Sequence, residues 1–241
     1  MQEDITINLN SKTKAYGILL EPKTSTNRLI IFVHGFLNNQ EHHLFYNAAH
    51  YFHRNNYSTF RYNLYGYQDN TRKANVTSFR TFAQDLSKIV SKFKGQYSQI
   101  TLVSHSLGAY IVLLVNPSDI SSLVLWEPSL HPKEMLKSAK KDGNYYIFDL
   151  GYQIRIHHKA IASMLNIPSA QVLLSKIHKP IAIISAEKAG GEIGKHYYTL
   201  ANRPKKISVI EGAGHNFDGL DTEAQLFKST LKWLRDQKLS G

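Results

Sequence analysis

Ile100-Thr101-Leu102-Val103-Ser104-His105-Ser106-Leu107-Gly108-Ala109-Tyr110-Ile111-Val112-Leu113-Leu114 reads as a strand running into a helix through one tight turn. Residues 100–103 are an apolar β-type run, and residues 109–114 an apolar helix-type run. Between them stand a small residue, any residue, Ser, any residue and Gly, the pattern of a nucleophile elbow. Such a turn has no room for side chains on its flanks. Small residues at 104 and 108 let strand and helix pack closely while Ser106 projects outward. The helix N-terminus brings backbone N–H donors and the positive end of a dipole near the serine oxygen. Ser104 occupies the position usually held by Gly. The plain alternative is an ordinary Ser/Gly turn, so the weight of the reading falls on the segments around it.

The chain has 241 residues, enough for one large α/β domain or two small ones. Hydrophobic residues make up 42% and aromatic residues 11%, which supplies a sizeable core and argues against global disorder. With no cysteine, disulfides, thiolate metal sites and cysteine nucleophiles are excluded. Met1-Gln2-Glu3-Asp4-Ile5-Thr6 lacks the basic-then-apolar pattern of a signal peptide, and no apolar run reaches the ~20 residues of a membrane span. A soluble cytoplasmic protein is the expectation. The formal net charge of +11 could serve nucleic acid, anionic lipid or acidic substrates. The basic residues are scattered, however. Their densest group, 133–141, has the helical spacing of a solvated face, and no nucleic-acid motif accompanies it, so no nucleic-acid partner is expected.

Apolar β-rich runs alternate with amphipathic helical stretches. Strands are expected at 5–9, 16–20, 29–33, 58–62, 100–103, 123–126, 181–184 and 207–210, with a turn at Asn10-Ser11-Lys12. Helices are expected at 43–55, 79–93 and 222–237, the last with Leu226, Phe227, Thr230, Leu231 and Leu234 on one face. The alternation predicts a mostly parallel sheet with helices on both faces. Residues 128–179 interrupt the rhythm with a hairpin around Asp149-Leu150-Gly151 and a helix over about 157–165. This reads as a cap inserted into one domain spanning 1–241.

Val33-His34-Gly35-Phe36 ends the first long buried strand, where open α/β sheets place ligands. Gly35 lets the backbone turn so that the Phe36 N–H joins the Leu107 N–H as a two-donor oxyanion hole. His34 is read as structural. Gly212-Ala213-Gly214-His215-Asn216-Phe217-Asp218-Gly219 follows the last strand and can reach back over the sheet edge, bringing His215 to Ser106 as general base. The other histidines are weaker candidates: His50 and His53 fit a helix face. Glu41, His42 and His43 are adjacent, but no further group at metal-ligand spacing supports a metal site.

Four segments in this order, His34-Gly35-Phe36, 61–66 (Arg-Tyr-Asn-Leu-Tyr-Gly), 104–108 and Gly214-His215-Asn216-Phe217, resemble those of the α/β-hydrolases. The resemblance covers residues 15 to 238. It implies an α/β-hydrolase fold with a mostly parallel sheet of about eight strands. The insertion is similar to the small caps of bacterial cinnamoyl/feruloyl esterases. The implied activity is hydrolysis of a small carboxylic ester through an acyl-enzyme, with no cofactor or metal and a small-molecule acyl ester as partner.

The third triad member is open. The family usually places an Asp just beyond the seventh strand, and here Ser185-Ala186-Glu187-Lys188-Ala189 puts Ala189 there. Glu127, directly after the 123–126 strand, is the favoured substitute, since a strand end is a rigid place to orient a base and certain haloalkane dehalogenases carry their acid there. Glu187, Glu192 and Asp218 are the alternatives. The missing Asp also motivates a second reading, a non-catalytic hydrolase-fold protein that binds a ligand or partner. Thioesterase and peptidase chemistry use the same machinery. Tyr145, Tyr146, Phe148 and Tyr152 are candidates for an aromatic acyl pocket, with core packing as the alternative. Oligomeric state is not readable.

Overall fold

A computed structural model of the chain describes residues 1–74, 77–149, 153–189 and 191–237. Eleven strands are formed among the described residues: β1 (Gln2–Asn8), β2 (Lys14–Leu20), β3 (Arg28–Val33), β4 (Ser58–Tyr62), β5 (Gln99–Ser106), β6 (Ser122–Pro128), β7 (Lys140–Asp142), β8 (Tyr145–Asp149), β9 (Gln153–His157), β10 (Ile181–Ala186) and β11 (Lys205–Ile210). Eight of them make one sheet in the order β1-β2-β4-β3-β5-β6-β10-β11. β2 is antiparallel to both neighbours, and every other pair is parallel. The expected strand set is present and the sheet is mostly parallel, as its continuous apolar runs imply. The opening hairpin turns at Asn10, whose Oδ1 accepts from the N–H groups of Lys12 and Thr13 at 2.9 and 2.8 Å.

Each central strand feeds two cores by simple alternation. Leu29, Ile31 and Val33 of β3, Leu123 and Leu125 of β6, and Ile181 and Ile183 of β10 face one core. Ile30, Phe32, Val124, Trp126, Ala182 and Ile184 face the other. Helices α1 (His43–Arg54) and α8 (Thr222–Asp236) cover the second face. The Trp126 indole N–H donates to Thr230 Oγ1 at 2.9 Å, which ties α8 to β6 between two fully buried side chains. Helices α2 (Phe79–Lys94) and α3 (Gly108–Leu113) cover the first face. Ser78 starts α2 by accepting from the Thr81 N–H at 3.1 Å.

Between β6 and β10 lie α4 (Pro132–Met135), the antiparallel sheet β7-β8-β9, α5 (His158–Leu165) and α6 (Ala170–Leu174). The hairpin and the 157–165 helix are where the sequence places them, but the turn residues Leu150 and Gly151, and Tyr152, lie outside the described residues. Phe148 is buried and Tyr146 half-buried against the first core, while Tyr145 is exposed. The basic group at 133–141 is divided rather than one helix: Lys133 belongs to α4, and Lys140 and Lys141 to β7, all three exposed. Helix α7 (Glu192–Leu200) was not expected, although Ile193, Tyr197 and Leu200 stand at helical spacing and pack on the first core.

Candidate active site

Ser106 ends β5 with φ of 56°, in the left-handed region that non-glycine residues avoid. The strain is held by packing on both sides. A Cβ on Gly108 would stand 2.7 Å from Val33 O and 2.9 Å from His34 O, both immovable backbone atoms. A Cβ on Gly35 would approach Ser106 Cβ at 3.1 Å. The glycines therefore let α3 and the β3–α1 loop close around the serine, as the elbow motif requires. Ser104 is fully buried, and its hydroxyl has no hydrogen-bond partner among the described residues. It serves there as a small residue only.

His215 Nε2 lies 3.1 Å from Ser106 Oγ. The loop carrying it is fastened at three points. The Gly212 N–H donates to Glu187 Oε2 at 2.9 Å, the Lys188 N–H to Ala213 O at 2.9 Å, and the His105 Nε2–H to His215 O at 2.8 Å. The His105 and His215 rings also stand 4.8 Å apart. Desolvation lowers the His215 pKa from 6.5, which keeps the imidazole neutral and able to accept a proton near neutral pH. His105 is fully buried, and burial pulls its pKa down to about 3. Its Nδ1 has no partner among the described residues, consistent with a neutral ring protonated on Nε2.

A second hydroxyl reaches the serine. Ser129 Oγ is 2.8 Å from Ser106 Oγ. Sequence reasoning missed it, because Ser129 belongs to no motif. The signal lies in strand register: Ser106 pairs across the sheet with Pro128, the neighbour of Ser129.

The Phe36 and Leu107 N–H groups form no backbone hydrogen bond among the described residues, so both are available as donors. His34 positions this loop from behind. Its Nε2 accepts from the Leu64 N–H at 3.0 Å, and its Nδ1–H donates to Gly35 O at 2.7 Å. Burial lowers its pKa to about 4, so the ring is neutral and spans two loops as a rigid spacer.

The carboxylates do not converge on His215. Glu127 is buried at 2% exposure, with φ of 40° where the β5–β6 register shifts by one residue. Its Oε2 accepts from the Ala186 N–H at 2.5 Å, just beyond the last β6–β10 pair, Ile184 with Trp126. Burial raises its pKa, and that hydrogen bond opposes the rise. Glu187 holds Gly212, and Glu192 pairs with Lys195 at 2.6 Å on the surface. Asp218 is exposed and sits near His42, whose pKa burial and His43 lower while Asp218 opposes the fall. Among the described residues none of the four is hydrogen-bonded to the His215 ring. Ala189 packs against the second core.

Glu41 and His43 turn to separate partners, and the His42 ring stands 4.3 Å from that of His43. Glu41 pairs with Arg61 at 3.2 Å, and His43 Nδ1 with Glu223 at 2.9 Å. Among the described residues no group of three or more His, Cys, Asp or Glu could hold a metal ion, and no helix is long and apolar enough to cross a membrane.

The architecture is shared with known proteins. Est1E from Butyrivibrio proteoclasticus, in a structure with ferulic acid bound, superposes with a TM-score of 0.84 at 17% identity, covering 98% of this chain and 99% of that one. The esterase domain of a Rhodothermus marinus protein gives 0.75 at 18% identity, with 98% of each chain covered. The α/β-hydrolase GrgF from Penicillium sp. sh18 gives 0.80 at 15% identity, again with 98% of each covered. At such identities the likeness is one of fold. No curated protein matches in sequence. The family model described as Serine aminopeptidase, S33 matches residues 24–188, a span that takes in β3, the turn at Ser106 and β10. With that match over more than half its length and the sheet order to accompany it, the chain belongs to this hydrolase family, within the α/β-hydrolase superfamily.

Proposed function

We propose that the chain is a serine hydrolase that cleaves a small carboxylic ester through an acyl-enzyme. The observation that carries this is the 3.1 Å contact between His215 Nε2 and the strained, outward-projecting Ser106 Oγ. Ser106 Oγ attacks the acyl carbon as its proton passes to His215 Nε2. The carbonyl oxygen, now an oxyanion, is held by the Phe36 and Leu107 N–H groups. Collapse expels the alcohol, which takes the proton from His215. Water then repeats the sequence and releases the acid. Glu127 does not touch His215 here, where its Oε2 accepts from the Ala186 N–H; it is kept as the orienting acid for the substrate-bound complex because it sits on a rigid strand end. The ester preference draws support from the likeness to esterases, one of which holds ferulic acid, a carboxylic acid.

One observation favours a second reading, a ligand-binding protein without catalysis: no carboxylate meets the His215 ring among the described residues. A fluorophosphonate probe and a panel of esters and thioesters separate the two. Labelling at Ser106, with turnover abolished by Ser106→Ala, is the expected result. Turnover that survives Ser106→Ala, or no labelling across a range of pH, rejects the serine mechanism.

A further inference from the structure

We propose that Ser129 is a second catalytic hydroxyl, donating to Ser106 Oγ as that oxygen gains negative charge in attack and again when it leaves the acyl-enzyme. The proposal rests on the serine-hydrolase reading above.

Two hydrogens are available for the two contacts of Ser106 Oγ. With His215 neutral and acting as base, the Ser106 proton lies on the 3.1 Å line to Nε2. The 2.8 Å line between the two serine oxygens then carries the proton of Ser129. The Ser129 O–H therefore points at the reacting oxygen before reaction begins. A donor so placed gains strength as its acceptor gains charge.

The hydroxyl is also held in place. The one-residue register shift at Glu127 brings Pro128 opposite Ser106 and sets Ser129 immediately after it. The Tyr197 O–H, from a ring 2% exposed on α7, donates to Ser129 O at 2.9 Å and fixes the backbone there. Strand register and a buried tyrosine thus preorganise a group that touches the nucleophile.

In acylation the Ser106 Oγ–carbon bond forms, the Ser106 O–H proton moves to His215, and the carbonyl π pair moves onto the carbonyl oxygen. That pair returns as the alcohol departs with the proton from His215. In deacylation water adds with its proton passing to His215, the carbon–Oγ bond breaks, and Ser106 recovers the proton. Ser129 keeps its own proton throughout and supplies a hydrogen bond in both steps.

The test compares wild type, Ser129→Ala and Ser129→Thr on a chromogenic ester, with the fluorophosphonate labelling rate and thermal unfolding recorded in parallel. Ser129→Ala should lower kcat and the labelling rate about ten- to a hundredfold, the range for a hydrogen bond to a charged group. KM and the unfolding midpoint should stay put. Ser129→Thr, which keeps a hydroxyl, should recover most of the rate. An active wild type with Ser129→Ala within twofold of it overturns the proposal and leaves the serine mechanism standing. A loss that Thr does not recover, or one that falls on KM alone, also overturns it. A wild type that neither turns over esters nor labels at Ser106 removes the serine mechanism, and this proposal with it.

Discussion

The ring of His105 donates a hydrogen bond to the backbone carbonyl of His215 at 2.8 Å, so the residue before Ser106 holds the loop of His215, the proposed base. The same contact joins the elbow to the segment after β11, which lie 110 residues apart in the chain. Removing the donor should loosen the base without touching Ser106. His105→Leu is expected to lower kcat about tenfold, the loss of roughly one well-made hydrogen bond. His105→Gln, whose amide N–H can take the place of Nε2–H, should retain more activity. Equal activity in the two variants would show that the contact does not position the base.

Desolvation lowers the His215 pKa, and the proposed base must be unprotonated. A lower pKa means that the proton is lost at lower pH. The acid limb of kcat/KM should therefore have its midpoint below 6.5, the ordinary histidine value. A pH–rate profile on a non-ionising ester measures it. A midpoint at or above 6.5 would contradict the desolvation argument.

His34 and His105 bear on stability in another pH window. Their folded pKa values are about 4 and about 3, against 6.5 when unfolded. Both are neutral in either state above 6.5, and there they contribute no pH dependence. Below 6.5 the unfolded chain binds the two protons first, so stability falls as pH drops, by about 1.4 kcal/mol per histidine per pH unit until the folded value is reached. Urea unfolding between pH 6.5 and 4.5 should show this slope, and His105→Gln should remove about half of it. A flat profile over that interval would count against buried neutral rings.

Glu187 and Glu127 separate position from charge. Glu187→Gln keeps a carbonyl oxygen for the Gly212 N–H and should hold kcat within about threefold, whereas Glu187→Ala loses the anchor, worth about 1 kcal/mol. Glu127→Gln likewise keeps an acceptor for the Ala186 N–H but removes the charge. If Glu127 orients the base in the working complex, kcat should drop by about a hundredfold or more. An unchanged kcat in Glu127→Gln would remove it from that role.

The sequence was most legible where period and motif agree. The apolar runs at 29–33, 100–103 and 123–126 became neighbouring central strands because burial on both faces demands such runs. The elbow and the glycine-flanked His215 came together because strand ends fix where loops emerge. Position within a strand end was much less legible. Glu127 lies where a single extra residue turns the chain into a left-handed conformation, and hydrophobic alternation carries no trace of that bulge. Its carboxylate therefore went to the Ala186 N–H, a partner invisible in one dimension. Ser129 was missed for the same reason. Helix α7 shows another limit: its nine residues are too short for a strong periodic signal beside polar neighbours.

The order of strands in the sheet also governs when the site can exist. β3 must pair with β5, and β6 with β10, across gaps bridged by whole helices and the inserted segment. Pairings so distant along the chain form late, since the entropy of closing each loop is lost before any contact rewards it. Helices α1, α2 and α8 can form from local sequence, but Ser106, Ser129 and His215 meet only after the last long-range strand has docked. During refolding, helical circular dichroism should return ahead of the ability to react with an acyl donor, which would make the proposed chemistry at Ser106 a reporter of the finished sheet.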